Sequence, residues 1–462
     1  MENLKRVTAL LVLVCLLLSF AGCGETPALP TTEAPTQATE PAQTTAAPTQ
    51  VPVVEAVDYA GTLKLDLNTE SAKQEVSVKQ FIDGDTTHFH VPTSVMSTGV
   101  LKARFLAVNT PESTGKIEEY GKKAAAFTKE KLSAATSILI ESDTADWVAD
   151  STGDRYLSWI WYKTADSQDY RNLNVELLQE GLAIASNSAQ NRYGDTCMAA
   201  LNQARAMKLN VHSGQKDPDY YYGEAVELTL KELRTNIESY SGMKVAFNGV
   251  ITMNDNNSVY VEAYDAETDM YYGMSVYYGY NLNGQGLGIL KVGNEVRIVG
   301  SVQYYEAGGT WQVSDLNYRL MKPDDPGNIQ KLSEGHSPAY RLTDADTFVN
   351  GEVTVLSEEG SVTAPYAALA MSSSIEMKGL KVKKIYTTTS EESASKGAMT
   401  LTCEVDGETI SVRTTVLLDA NGKLVTEKAY KGKTIDVKGI IDYYDGTYQI
   451  KVFSAESITV TD

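Results

Sequence analysis

The sequence predicts a mainly β chain made of small closed barrels, the first combined with helices into an α+β unit. Three observations carry that prediction: apolar and polar residues alternate over 60–110, helix-spaced stretches follow, and the C-terminal half repeats one strand–turn–strand pattern. With 462 residues the chain is too long for a single core, and about two to four domains are expected.

The first elements concern targeting rather than fold. Lys5 and Arg6 precede an apolar run, 7–20, too short to span a bilayer comfortably, which ends Ser19-Phe20-Ala21-Gly22-Cys23. This resembles a bacterial lipoprotein signal. It implies that residues 1–22 are a signal peptide and that Cys23 is the lipidated first residue of the mature protein. The protein would then sit on the extracellular face of the cell membrane; an ordinary cleaved signal peptide is the alternative. Residues 23–55, rich in Thr, Pro, Ala and Gln, cannot bury a core and are expected to form a flexible tether. No later stretch is long and apolar enough to span a membrane. Cys197 and Cys403 stand far apart in sequence, which supports neither a disulfide framework nor a cysteine metal site.

From residue 60 the alternation over 62–67 and 76–79 reads as half-buried strand. Residues 120–135 are Ala- and Lys-rich at helical spacing, 137–141 and 156–162 read as strands, and 174–183 and 196–207 as helices. A barrel closed by helices is therefore expected over 60–215. The repeat follows. Residues 292–300 lead to Tyr304, Tyr305 and Trp311; residues 431–439 lead to Tyr443, Tyr444 and Tyr448. Each copy is a strand, a tight turn and a second strand, with more alternating sequence upstream. Two further barrels are expected, 224–322 and 345–462, separated near 323–327. Both look like OB-folds, five-stranded barrels that often hold oligonucleotides or oligosaccharides.

Net charge is −20, unusual for a protein that handles polyanions. The excess is −5 over 1–75, −2 over 76–215 and −13 over 216–462. The first barrel is thus nearly neutral, and any anion binding there must come from local Arg and Lys or from bound cations rather than from a whole-molecule field.

The chemistry concentrates in the run 104–112, which carries Arg104, Asn109, Thr110 and Glu112. It is preceded by Asp83-Gly84-Asp85-Thr86 and followed by Arg155. Acidic and amide oxygens can hold a hard cation, a carboxylate can activate water, and two guanidinium forks can clamp a phosphate. Together with Tyr120-Gly121, Ala124 to Lys129, Gly153-Asp154-Arg155 and Gly181-Leu182-Ala183, this ordered set resembles the thermonuclease (staphylococcal nuclease-like) family over most of 76–215. The resemblance implies an OB-like barrel with helices and calcium-dependent hydrolysis of DNA and RNA to 3′-phosphate ends. It implies that Asp85, Asn109 and the Thr110 carbonyl ligate Ca2+, that Glu112 holds or deprotonates the attacking water, and that Arg104 and Arg155 bind the phosphate and stabilise its transition state. Asn109 departs from the pattern, standing where the family usually has an Asp. One negative charge is lost, weaker calcium binding is expected, and Asp83 is the neighbour able to supply charge.

The remaining motifs carry less. Tyr193 is a candidate base-stacking residue. His88 and His90 share a strand face without a third ligand and read as a plain face. Gly284, Gly286 and Gly288 imitate a phosphate loop without a following helix and read as a loop. The barrel aromatics could stack bases or simply pack. Two function classes follow: a membrane-anchored, monomeric extracellular nuclease acting on DNA and RNA, or a catalytically silent surface lipoprotein that binds nucleic acid or another polymer. Retention of both Arg positions and Glu112 favours the first.

Overall fold

Alternation places most of the strands, and hydrogen-bond partners decide which stretches become strands at all. In this computed structural model residues 56–461 are described, apart from 168, 281, 307, 358, 359, 391 and 392. The signal peptide, the tether and Cys23 lie outside the described residues.

The first barrel contains β1 (Lys73–Asp83), β2 (Thr86–His90), β3 (Val100–Phe105), β4 (Ser137–Glu141) and β5 (Tyr156–Lys163). β1 pairs with β2 and β4, β2 with β3, and β4 with β5, all antiparallel; a parallel β3–β5 pairing closes the ring. Helix α1 (Gly121–Ser133) lies between β3 and β4 in sequence, and α2 (Leu173–Gln179) and α3 (Gly194–Ala206) follow β5. Phe89, Leu101, Ile140, Trp159 and Trp161 fill the core together with Leu177 and Leu201 from the helices.

The alternation over 62–67 yields no strand. A short helix, Tyr59–Thr62, precedes it, and the chain then forms no strand until Lys73. Leu63 and Leu65 pack against the core as the alternation implies, whereas Leu67 is exposed. β1 pairs with β4 over 73–76 and with β2 over 77–83, and residues 62–67 join neither ladder.

The second barrel is built from β6 (Lys244–Asn254), β7 (Ser258–Asp265), β8 (Met270–Tyr277), β9 (Glu295–Tyr305) and β10 (Thr310–Ser314). The third is built from β11 (Ser374–Thr387), β12 (Met399–Val405), β13 (Glu408–Thr414), β14 (Thr434–Tyr444) and β15 (Thr447–Val452). Each repeats the topology of the first: strand one pairs with two and four, two with three, four with five, and three closes on five in parallel. All three are closed, OB-like barrels in a mainly β molecule.

The repeat explains itself physically at its glycines. A Cβ on Gly300 would sit 2.4 Å from the Ser314 carbonyl, and one on Gly439 would sit 2.6 Å from that of Lys451. These two positions let the fourth strand press on the fifth and turn the barrel corner. The run 284–288 differs from its expected loop. It folds as a short helix, Gln285–Ile289, between the third and fourth strands, where α1 stands in the first barrel. Buried Gly286 permits it, since a Cβ there would meet Leu282 at 2.6 Å. Cys197 on α3 and Cys403 on β12 are free and buried. Among the described residues no helix is long and apolar enough to cross a membrane.

Candidate active site

β3 positions the first functional side chain by alternation. Leu101, Ala103 and Phe105 enter the core, so Lys102 and Arg104 face outward. Arg104 stands in register with Thr86 on one neighbour and Leu157 on the other, between the Asp85 turn and the Arg155 end of β5.

Asp85 is 2% exposed. Its Oδ2 accepts from the Thr110 backbone N–H at 2.8 Å, and its Oδ1 accepts from the Thr86 hydroxyl at 3.1 Å and pairs with Arg104 Nη1. The other arm of the same guanidinium, Nη2, donates to Asn109 Oδ1 at 2.6 Å. One Arg fork thus spans the Asp85 and Asn109 oxygens. Burial, and next the charge of Arg155, pull the Arg104 guanidinium below the usual arginine range. Arg155 is therefore close enough for the two cations to repel. Its own Nε and Nη2 are held by Asp150 Oδ2 at 2.8 and 2.7 Å, and Asp150 is fixed in turn by the Thr152 backbone N–H and hydroxyl.

Glu112 lies on the loop between β3 and α1. Burial first, then the adjoining Asp83 carboxylate, raise its carboxyl to about 7. Asp83, 7% exposed, is itself held by the Ser113 hydroxyl at 2.6 Å, the Ser113 N–H at 3.2 Å and the Gly84 N–H at 2.8 Å. The Glu112 backbone is fixed at both ends: its carbonyl accepts from Glu118 N–H at 2.9 Å, and its N–H donates to Glu118 Oε2 at 3.2 Å. α1 begins hard against this loop, for a Cβ on Gly121 would fall 2.1 Å from the Glu112 carbonyl oxygen. Tyr120, at φ 65°, makes the turn into the helix, with its N–H on Asp217 Oδ2 at 2.6 Å.

Asp85, Arg104, Asn109 and Thr110 are joined directly by hydrogen bonds or ion pairs. Glu112 reaches this group through its charge contact with Arg104, and Arg155 through its repulsion of Arg104. What the structure shows of Thr110 is its N–H on Asp85 and a buried hydroxyl without a hydrogen-bond partner. Tyr193 is half-buried. Its ring stands edge-on to Trp159 and Trp161, with centroids at 5.0 and 5.5 Å, and its hydroxyl donates to buried Glu141 at 2.9 Å. Sequence reasoning left three supporting groups without a role: Asp150, Ser113 and Gln303. The first sits in the segment that carries Arg155 and was within reach; Ser113 and Gln303 carry no sequence signal.

Part of the first barrel and its helices is similar to a known family. Residues 102–213 match the family described as staphylococcal nuclease homologue. The chain carries a thermonuclease-like domain. The match takes in Arg104, Asn109, Glu112 and Arg155. Asp83 and Asp85 precede it and are bound into the same site by the hydrogen bonds above. No curated protein matches the chain.

Among the described residues, no group of three or more His, Cys, Asp and Glu is arranged to hold a metal ion. The oxygen set of the candidate site is one carboxylate and one amide, brought together by a single Arg fork, with the orphaned Thr110 hydroxyl nearby. These are hard oxygen donors of the kind calcium takes, so donor chemistry fits, with Arg104 sharing the same oxygens.

Proposed function

We propose that this protein is a calcium-dependent phosphodiesterase that hydrolyses DNA and RNA, leaving 3′-phosphate ends, from the extracellular face of a bacterial membrane to which a lipid on Cys23 tethers it. The observation that carries the reading is the gathering of Arg104, Arg155, Glu112, Asp85 and Asn109 at one end of the first barrel. Asp85, Asn109 and the Thr110 carbonyl would hold the Ca2+, which supplies Lewis-acid polarisation of the phosphate and local positive charge. Glu112, with its carboxyl poised near neutrality, orients a water and takes its proton. Arg104 and Arg155 bind the phosphate oxygens and the charge that develops on them; both then exchange part of their present carboxylate contacts for the substrate.

Denatured DNA incubated with the purified protein is expected to be cut with calcium and spared with a calcium chelator; no calcium-dependent cleavage would sink the proposal. Glu112→Gln should lower kcat by at least about a hundredfold, the usual scale for losing a general base, with the fold intact by circular dichroism. The second reading is a silent binder. The grip of Arg104 on the Asp85 and Asn109 oxygens favours it, and retention of labelled oligonucleotide without cleavage would support it.

A further inference from the structure

The second barrel touches the loop that carries Glu112. Gln303, on the outer face of β9, donates from Nε2 to the Ser113 carbonyl at 2.9 Å, and its Oε1 accepts from the Ser314 hydroxyl of β10. Its amide is therefore fixed at both ends, one bond within its own barrel and one into the loop. Ser113 in turn places both its N–H and its hydroxyl on Asp83, the carboxylate beside Glu112. An unbroken line of polar contacts thus runs from Ser314 through Gln303, Ser113 and Asp83 to Glu112.

Other contacts pin the same region. Lys129 of α1 pairs with Glu306, just beyond Gln303, at 2.5 Å. The Lys122 ammonium lies against Gly242 at the foot of the second barrel, where a Cβ would come within 1.6 Å of it. Asp217, in the segment leading to the second barrel, holds the Tyr120 N–H. Of these, only the Gln303 bond reaches the residue next to Glu112. Within the first domain Glu118 holds the Glu112 backbone and Asp83 holds Ser113, so Gln303 adds a restraint from outside it, and an oriented carboxylate loses effect if its backbone drifts by even an ångström.

We infer that the second barrel is part of the catalytic apparatus, with Gln303 as the positioning residue that fixes Ser113 and, through it, the Asp83–Glu112 pair. This rests on the nuclease reading above. The barrel would then act on turnover without itself contacting the scissile phosphate.

The test is steady-state kinetics on a single-stranded oligonucleotide with wild-type protein, Gln303→Leu and Gln303→Glu. Leu keeps the size and loses both bonds. Glu still accepts from Ser314 but cannot donate to the Ser113 carbonyl. Both variants should lose about tenfold or more in kcat, the scale found when outer-shell partners are removed. KM should stay within about twofold, because the phosphate-binding arginines are untouched, and the melting temperature should be nearly unchanged. Amide exchange at 113–118 should speed up in both. A fall in stability that accounts for the lost activity, or a KM rise with unchanged kcat, overturns the positioning role. So does full activity in folded Gln303→Leu, which leaves the nuclease reading standing. If wild-type protein does not cleave, the nuclease reading fails, and the role in turnover with it.

Discussion

At Arg104, alternation alone fixes the outward direction, and the burial of Asp85 beneath it fixes the partner. The same alternation governs His88, in register with Lys102 on β3 and with Gln80 on β1. Burial, followed by repulsion from Lys102 and Lys79, lowers His88 to about 4, with Asp154 opposing weakly. The native state therefore binds fewer protons here than the unfolded chain does between about pH 6.5 and pH 4. The stability tied to neutral His88 is complete above pH 6.5 and is lost as the pH falls toward 4. His88→Gln removes that dependence. The drop in melting temperature from pH 7 to pH 4.5 should be smaller in the variant, and an equal drop in both proteins would show that His88 does not titrate in this range. The plain strand face expected for His88 and His90 accords with this neutral, half-buried imidazole.

At the scale of elements, one buried amide reinforces the apolar joint between the first barrel and α2. Asn174, fully buried on α2, accepts from the Ile160 N–H of β5 at 2.8 Å and donates to the carbonyls of Leu106 and Ser158 at 2.8 and 3.1 Å. It ties the helix both to a strand and to the turn within the 104–112 run. Asn174→Ala would leave Ile160 N–H and the Leu106 carbonyl without these partners in a dry interior. The expected cost is about 3 kcal/mol, read from denaturant unfolding. A loss below about 1 kcal/mol would mean that water reaches these groups. The helix itself was legible, since its apolar spacing marks it. The role of Asn174 was not, because a polar residue on an apolar face gives no clue to which carbonyls it will meet.

At the scale of the molecule, the second and third barrels share one continuous apolar core, from Leu230 and Phe247 to Ile435 and Ile450, whereas the first keeps its own. Polar contacts reinforce the shared core. Buried Glu262 of β7 accepts from Ala339 N–H, Ser374 N–H and the Ser374 hydroxyl at 2.8, 2.7 and 3.0 Å. Gly273 of β8 lies so near that a Cβ would fall 2.2 Å from Ser373 N, against backbone that cannot yield cheaply. Gly273→Val should therefore pry the two barrels apart. Calorimetry should show a lowered unfolding temperature or a split transition, while cleavage of a short oligonucleotide changes little. An unaltered single transition would show that the contact is dispensable.

The sequence by itself determined the three barrels and singled out the run 104–112 as the candidate site. Strand alternation is a local property, and the run 104–112 owes its chemistry to residue types and order that need no coordinates to be seen. Tertiary structure alone decided what surrounds them. It placed a single Arg fork across Asp85 and Asn109, Asp83 beside Glu112, Asp150 on Arg155, and the second barrel against Ser113. It also denied 62–67 a strand and set Tyr193 edge-on against two tryptophans. Each of these depends on which distant segment occupies a given edge or face. That choice is made by hydrogen-bond partners and packing across the whole chain, and no local pattern encodes it.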